Sequence, residues 1–398
     1  MKLDLEIITP VIINDSNELT SLDFFLDRDN IAYRVDINGT ISNISKYPKL
    51  LEKFINIIKE DYMQKAQKAY GKPEYSKSTK INDFYAELER DKLLVKIYPQ
   101  ITKYDPKFLN QKNITNYIGF YKKIDDLIYY VPYIPGSTIK GAIRNAILYK
   151  ILKEKREMYS FKDHNKKVLV YQYFLTNRKN VEKEIFAYED SKNKSSNNDI
   201  FKFLHITDFM PKNIKDIKLG IFQQKVQIKN YQNERNMNLV FMNLVLSGIF
   251  EGEIKIKKDL IYAFSKTEDK NIFLDRLNNI FNINEEEMAN FQNNFSQTEN
   301  KIILNLLSSL NTFSYDIIKK YENRYYPSIP TVVPDSNNFY AFLGAHKGLI
   351  LNTILEAIDP LDRKKIYNNK NYPPKTNKLA SIENKDVKLG FVKFSRGK

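Results

Sequence analysis

The segment Tyr129–Lys153 constrains the fold of this chain more than any other part of the sequence. It reads YYVPYIPGSTIKGAIRNAILYKILK, in which a short aromatic strand ends at Pro135-Gly136 and a helix follows at once. Ser137 is a residue type that caps helix N-termini, so we predict that it begins the helix. A strand that leads directly into a half-buried helix favours a mixed α and β fold. The apolar residues at helical spacing predict the buried face of the helix: Ile139, Ile143, Ala146 and Ile147.

Strands and helices recur in both halves of the chain and predict an α+β fold with two sheets. Residues 3–7 alternate apolar with charged side chains, which is typical of a half-buried strand. The second half contains a predicted hairpin around residues 247–248, followed by helices near residues 273–295 and 299–324. Residues 74–125 mix Tyr, Lys and Asp without a clear period, so we predict that they are irregular.

Two domains are the natural expectation for 398 residues, since domains usually contain about 100–200 residues. We predict an N-terminal domain over residues 1–205, with a helical insertion at about 44–125. The C-terminal domain then covers residues 206–398 and carries a glycine loop at 344–348.

The start of the helix predicted after Pro135-Gly136 is the first candidate binding site. Gly136, Ser137 and Thr138 place unpaired backbone N–H groups at the positive end of a helix, where phosphate binds readily. Lys140 and Arg144 lie four residues apart and therefore share a face, which we expect to be exposed. The alternative is an ordinary capped helix with solvated cations, and no Walker motif is present.

Gly344-Ala345-His346-Lys347-Gly348 is the second candidate. Two glycines that bracket Lys347 suit a loop pressed against a sugar–phosphate backbone, and a tight turn without a ligand explains them equally well. Residues 362–380 are rich in basic side chains and are predicted to form a basic loop.

Charge and composition limit the classes of function. The chain has 63 basic and 48 acidic residues, a net charge of +15, which favours a polyanionic partner. An AT-rich genome also inflates lysine content. The positions of the charges, rather than their number, must therefore show whether the partner is a polyanion. The chain has no cysteine, and its three histidines are scattered, so we expect no metal site and no cofactor. No apolar run approaches the roughly 18 residues of a membrane span, so the expected location is cytoplasmic, with no membrane partner.

Taken together, these motifs resemble the RAMP superfamily of CRISPR proteins. The segments that carry the resemblance occur in the order of the family: the strand and ITP opening, IPGSTIKGAIRNAI, LHITDFMP, LVLSGIFEGEIKI, FLGAHKGL and the closing KLGFVKF. Within the superfamily, the chain is most similar to the fifth Csm subunits of type III-A effector complexes. The resemblance departs at residues 13–17, where the family usually has glycines and this chain has Ile-Asn-Asp-Ser-Asn.

The resemblance implies two ferredoxin-like (RNA-recognition-type) domains and an antiviral function without catalysis. It implies a subunit that binds crRNA, caps the 3′ side of the complex beside the backbone RAMP subunits and other Csm subunits, and assists maturation by other nucleases. Target RNA is a further partner. The residues carried over as RNA contacts are Gly136, Ser137, Thr138, Lys140, Arg144, Gly344, Lys347 and Gly348.

Two other interpretations stay open at this point. Backbone subunits of the same superfamily cut target RNA with an aspartate after the first strand, and Asp23 lies in roughly that region. Asp15, Asp23 and Asp208 all lie beside strand ends, where most aspartates form turns or cap helices. A basic protein that assembles only with other proteins is the remaining alternative.

Overall fold

The computed structural model describes residues 1–69, 79–110, 113–154, 161–163, 166–168, 182, 185–188, 198–228, 240–291, 293–321, 329, 337–344, 376–383 and 385–397. These residues form two large sheets with helices beside them, so the predicted α+β class is confirmed.

The first sheet has the strand order β11–β15–β1–β19–β16, with the short strand β12 also paired to β15. Neighbouring strands along this order are antiparallel. Leu3 and Leu5 of β1 are fully buried while Asp4 and Glu6 are not, which confirms the alternation that predicted this strand. The strands are β1 (Lys2–Ile7), β11 (Leu204–Ile206), β12 (Met210–Pro211), β15 (Ile249–Ile256), β16 (Asn338–Phe342) and β19 (Phe391–Arg396).

The second sheet has the order β2–β6–β14–β13–β5–β4–β3, with β8 and β17 paired to β5 and β13 and extended by β7 and β18. Its strands are β2 (Asn14–Leu19), β3 (Phe24–Leu26), β4 (Ala32–Val35), β5 (Lys96–Tyr104), β6 (Ile114–Tyr117), β7 (Gly119–Ile124), β8 (Leu127–Pro132), β13 (Lys218–Ile228), β14 (Phe241–Ser247), β17 (Thr376–Ile382) and β18 (Lys385–Lys388). A separate pair consists of β9 (Phe161–Asp163) and β10 (Lys166–Val168). Backbone hydrogen bonds between Val11 and Val245, of 2.9 and 3.0 Å, join the two large sheets.

The helices are α1 (Ile37–Ile44), α2 (Pro48–Ala69), α3 (Thr79–Arg90), α4 (Gly136–Glu154), α5 (Asp259–Lys266), α6 (Lys270–Phe281), α7 (Glu285–Asn290) and α8 (Phe295–Tyr321). Helix α4 packs against α8, and α8 packs against β15 and β16 of the first sheet. Tyr149 meets Phe313 edge to face at 4.9 Å between ring centroids, and its hydroxyl donates to Asp316 at 3.0 Å. Helices α1–α3 enclose a smaller core of their own with β3 and β4.

Two local predictions are wrong. Residues 74–125 contain α3 and β5 rather than irregular structure, and the predicted helix at 273–295 is divided into α6 and α7 by Asn282, whose φ is +53°. The segment at residues 13–17, where the chain departs from the family's glycines, enters β2.

Strands from before and after residue 205 occur in both sheets. Strand β1 lies between β15 and β19, while β14 and β13 lie between β6 and β5. The boundary at residues 205/206 and the insertion at about 44–125 stay predictions. Across the described parts of the chain, no helix combines the length and apolar character that a membrane span requires.

Candidate nucleic-acid interface

Helix α4 begins against the end of β11, and its first N–H group is already occupied. The Gly136 N–H donates to the Asp208 carboxylate at 2.8 Å, from a residue 72 positions away in sequence. The Thr138 N–H donates to the Pro135 carbonyl at 2.9 Å, while the Ser137 side chain is exposed. The prediction that Ser137 caps this helix is therefore wrong, because the helix already begins at Gly136 and Ser137 lies within its first turn.

Gly136 is required by the packing of this chain. A Cβ at this position would lie 2.2 Å from the Ile206 carbonyl oxygen and 2.8 Å from that of Thr207. The aromatic strand before it is fixed as well, since Ile134 and Phe209 exchange backbone hydrogen bonds of 3.0 and 2.9 Å. The start of α4 is thus held in place by β11 and the residues that follow it.

Lys140 is a half-buried cation with a partner in its own chain. Its Nζ donates to the Leu204 carbonyl at 2.7 Å. Burial lowers the pKa of Lys140 below its usual value; Asp199 opposes this effect, and the nearby charges of Lys257 and Arg144 add to it. The expectation of an exposed, solvated Lys140 is wrong, because its charge is directed towards the β11 backbone.

Arg144 is likewise engaged inside the protein. Its Nη1 lies 2.7 Å from the Asp199 carboxylate, and its Nε lies 3.6 Å from that of Glu182. The guanidinium carbon is 3.9 Å from the ring centroid of Phe186 and 5.3 Å from that of Phe201. With 25% of its side chain exposed, Arg144 holds α4 against the segments around residues 186 and 199, so the prediction of an exposed face is wrong here too.

The surface that stays accessible at the start of α4 is formed by Ser137 and Gly141, with Thr138 half-buried. A Cβ at Gly141 would have no atom of the described residues within 4 Å, apart from the backbone of α4 itself. The helix therefore presents a smooth, small surface, at which the backbone of another molecule can approach closely.

Gly344 is also explained by contacts within the chain. Its φ is +82°, and a Cβ would lie 2.3 Å from the Ile12 carbonyl oxygen, in the loop after β1. Lys347 and Gly348 lie outside the described residues, as do His346 and most of the basic loop 362–380.

The structure does not bring the two candidate sites together. Gly136 contacts β11 and Gly344 follows β16, the two ends of the strand order in the first sheet. Four strand spacings separate β11 from β16, a distance on the order of 20 Å.

Asp23, the candidate nuclease residue, is held in its own turn. Its Oδ2 accepts hydrogen bonds from the Thr20 backbone N–H at 2.7 Å and the Thr20 hydroxyl at 2.9 Å. The following Phe24 and Phe25 are buried. Within the described ranges, no three His, Asp or Glu side chains come together as a metal site would need.

Asp208 and Asp199 are the site residues whose partners the sequence did not reveal. The sequence predicts that Asp208 forms a turn or caps a helix, and it does accept a hydrogen bond at a helix start, that of α4, 72 positions away in sequence. The only available signal was its position directly after a strand, in Thr207-Asp208. Asp199 stood in a polar stretch that resembles an ordinary surface loop.

Comparisons with known proteins agree with this fold. The sequence model of the RAMP superfamily matches residues 4–318. The CRISPR system Cms protein Csm5 of Methanocaldococcus jannaschii is 23% identical over 286 residues, 67% of this chain and 62% of that protein, so the chain spans less than two thirds of its length.

Two solved structures share the fold over 98% of this chain and 99% of theirs. One is a chain of a Csm–crRNA–target RNA ternary complex of a type III-A CRISPR-Cas system, with a TM-score of 0.62 at 20% identity. The other is the Csm5 of T. onnurineus, with a TM-score of 0.53 at 18% identity.

Proposed function

Because the chain belongs to the RAMP superfamily, we propose that it is a non-catalytic subunit of a type III-A CRISPR effector complex. In this proposal it binds crRNA, caps the 3′-side end of the complex and assists crRNA maturation. The similarity to an archaeal Csm5 and the fold shared with a chain of a Csm–crRNA–target RNA complex support it. The proposed partners are crRNA, target RNA, the other Csm subunits including the backbone RAMP subunits, and the nucleases that mature the guide.

The main support for the RNA-binding part of the proposal is that Gly141, an exposed residue inside α4, has no side chain. A glycine inside a helix costs up to about 1 kcal/mol relative to alanine. Among the described residues, no atom outside the backbone of α4 itself lies within 4 Å of the position a Cβ would take, so packing within this part of the chain does not require the glycine. An external ligand that approaches the helix backbone explains it, and the neighbouring exposed Ser137 hydroxyl can donate to a ribose-phosphate strand.

The open face of the first sheet is a poorer surface for RNA. This face carries Asp4 and Glu6 of β1 beside Glu251 of β15. Asp4 pairs with Lys212 at 2.9 Å, and Glu6 pairs with Lys393. Since these carboxylates offset the lysines, the face lacks the positive surplus that phosphate contacts require.

Replacing Gly141 with glutamine should weaken crRNA binding tenfold or more, equivalent to about 1.4 kcal/mol. The new side chain would occupy the space where we place the RNA backbone. The helix itself should not be weakened, because glutamine has a higher helix propensity than glycine. Binding of labelled crRNA to the full chain, measured over a range of salt concentrations, tests this. The affinity of the wild-type protein should fall steeply with salt.

Glu154→Gln is the matched control, since it places the same side chain at the exposed end of the same helix. It should bind crRNA as well as the wild type does. If Gly141→Gln binds with unchanged affinity, RNA does not approach this helix face.

The protein incubated with labelled crRNA, complementary RNA and Mg²⁺ should produce no cleavage above a buffer control. Asp23 already accepts two hydrogen bonds within its turn, so its carboxylate is poorly placed to activate an attacking group. Gel analysis of the RNA products tests this. Cleavage that Asp23→Ala abolishes would establish the endoribonuclease instead.

A further inference from the structure

A basic cleft opens between the end of β15 and helix α5. Its volume is about 480 Å³, within the usual range for small-ligand sites. We call it the α5 cleft. The residues that line it are Tyr188, Lys202, Phe203, Lys257, Asp259, Tyr262, Ala263, Lys266 and Thr267.

The charges of the α5 cleft favour an anion. Three lysines and one aspartate line it, which gives 3 − 1 = +2. Lys257, Asp259 and Lys266 are exposed, and Asp259 forms no ion pair of 4 Å or less among the described residues. Lys202 is positioned by its hydrogen bond of 2.6 Å to the Tyr188 hydroxyl. One lysine held by a hydrogen bond beside two exposed lysines is an arrangement that suits a phosphate group.

The cleft also offers an aromatic ring to a planar ligand. Tyr262 is 66% exposed, the most exposed of the large apolar or aromatic side chains in the described structure. The Nζ of Lys266 lies 5.8 Å from its ring centroid. An exposed tyrosine ring flanked by lysines is typical of sites at which unpaired bases stack while their phosphates meet cations.

The α5 cleft lies near the start of α4. The Lys257 N–H donates to the Phe203 carbonyl at 2.8 Å, and Lys140 Nζ donates to the next carbonyl, that of Leu204, at 2.7 Å. Lys257 is close enough to Lys140 to contribute to lowering its pKa, after burial as the main cause. A strand of RNA that passes Gly141 therefore has a basic path into the cleft.

We propose that the α5 cleft binds one unpaired nucleotide of RNA, with its base on Tyr262 and its phosphate between Lys257 and Lys266. The inference rests on the proposed function, because the same RNA must reach both places. The α5 cleft would be a second RNA contact, one that binds an unpaired nucleotide and not a duplex. Stacking on one ring is tolerant of sequence, so the site accepts any base.

Tyr262→Ala should lower the affinity of the full chain for a single-stranded oligoribonucleotide about tenfold, whereas Tyr262→Phe should stay within about twofold, since stacking needs the ring and not the hydroxyl. Lys257→Ala combined with Lys266→Ala should reduce the slope of log affinity against log salt by about 1. An oligonucleotide that carries 5-iodouridine should crosslink to Tyr262 on irradiation, as identified by mass spectrometry.

Lys46→Ala combined with Tyr47→Ala is the matched control, because Tyr47 is also an exposed tyrosine, at 50%, beside a lysine. It should change neither the affinity nor the salt slope.

If the wild type binds RNA and Tyr262→Ala binds equally well, the cleft inference is wrong and the proposed function survives. A wild-type protein that binds no RNA at low salt overturns both. Each variant should unfold at the urea concentration of the wild type, because the altered side chains are exposed.

Discussion

Replacing Gly136 with alanine is expected to lower the free energy of unfolding by about 3 kcal/mol. The added Cβ would lie 2.2 Å from the Ile206 carbonyl oxygen, which belongs to backbone and cannot rotate away as a side chain would. Either α4 moves from β11, with the loss of the Asp208 hydrogen bond, or β11 moves from β15. Urea unfolding followed by circular dichroism measures the effect.

Gly141→Ala is the control for this prediction, and it should have the opposite sign. Its Cβ would enter open space in the same helix, so the variant should be more stable than the wild type by about 0.5–1 kcal/mol. The two alanine variants, five positions apart, should therefore differ by about 4 kcal/mol. Equal unfolding midpoints for both would show that the contact between α4 and β11 is not as close as the structure has it.

The contrast between these glycines shows what the sequence could and could not predict. Helical spacing is a local property, so Ile139, Ile143 and Ala146 were correctly placed on the buried face. Gly136 was correctly placed where the strand leads into the helix. The sequence did not reveal that Gly136 approaches its own chain while Gly141 faces outward, because that depends on residues 206–208.

The same limit explains the missed strand β5. Its sequence contains Pro99, and proline is uncommon inside a paired strand because it cannot donate a backbone hydrogen bond. In the structure, β8 pairs with Ile97 and Tyr98, and β13 pairs from Ile101 onward. Strand β4 pairs with Ile97 and Ile101 and has a register shift between them, so Pro99 has no partner in any of these three ladders. Only the tertiary arrangement of the strands around β5 makes the proline compatible with the sheet.

For the cations of α4, the sequence predicted a shared face but not its environment. A spacing of four residues places Lys140 and Arg144 on one side of the helix in any context. Whether that side meets water, RNA or protein depends on segments that are 55 to 64 residues away. The structure places the β11 backbone and Asp199 there, which changes what their replacement should do.

Replacing Arg144 with alanine is expected to lower the free energy of unfolding by about 3 kcal/mol. The change leaves the carboxylates of Asp199 and Glu182 without their shared cation and removes the guanidinium from the Phe186 ring. Arg144→Lys should recover only part of the loss, because an ammonium group cannot stack or bind two carboxylates in the same way. Urea unfolding of both variants measures the difference.

A double-mutant cycle separates this structural role from a direct contact with RNA. Asp199→Asn keeps the side-chain oxygen that accepts from the Phe201 N–H at 2.8 Å and removes the charge that pairs with Arg144. If Arg144 stabilises the fold, the Arg144→Ala and Asp199→Asn changes should couple by about 1–2 kcal/mol in stability. RNA affinity corrected for the folded fraction should then fall little. If Arg144 contacts the guide instead, the Arg144→Ala protein should be as stable as the wild type, lose RNA affinity and show no coupling with Asp199→Asn. An ion pair within the chain predicts the opposite: lower stability, coupling, and little change in RNA affinity.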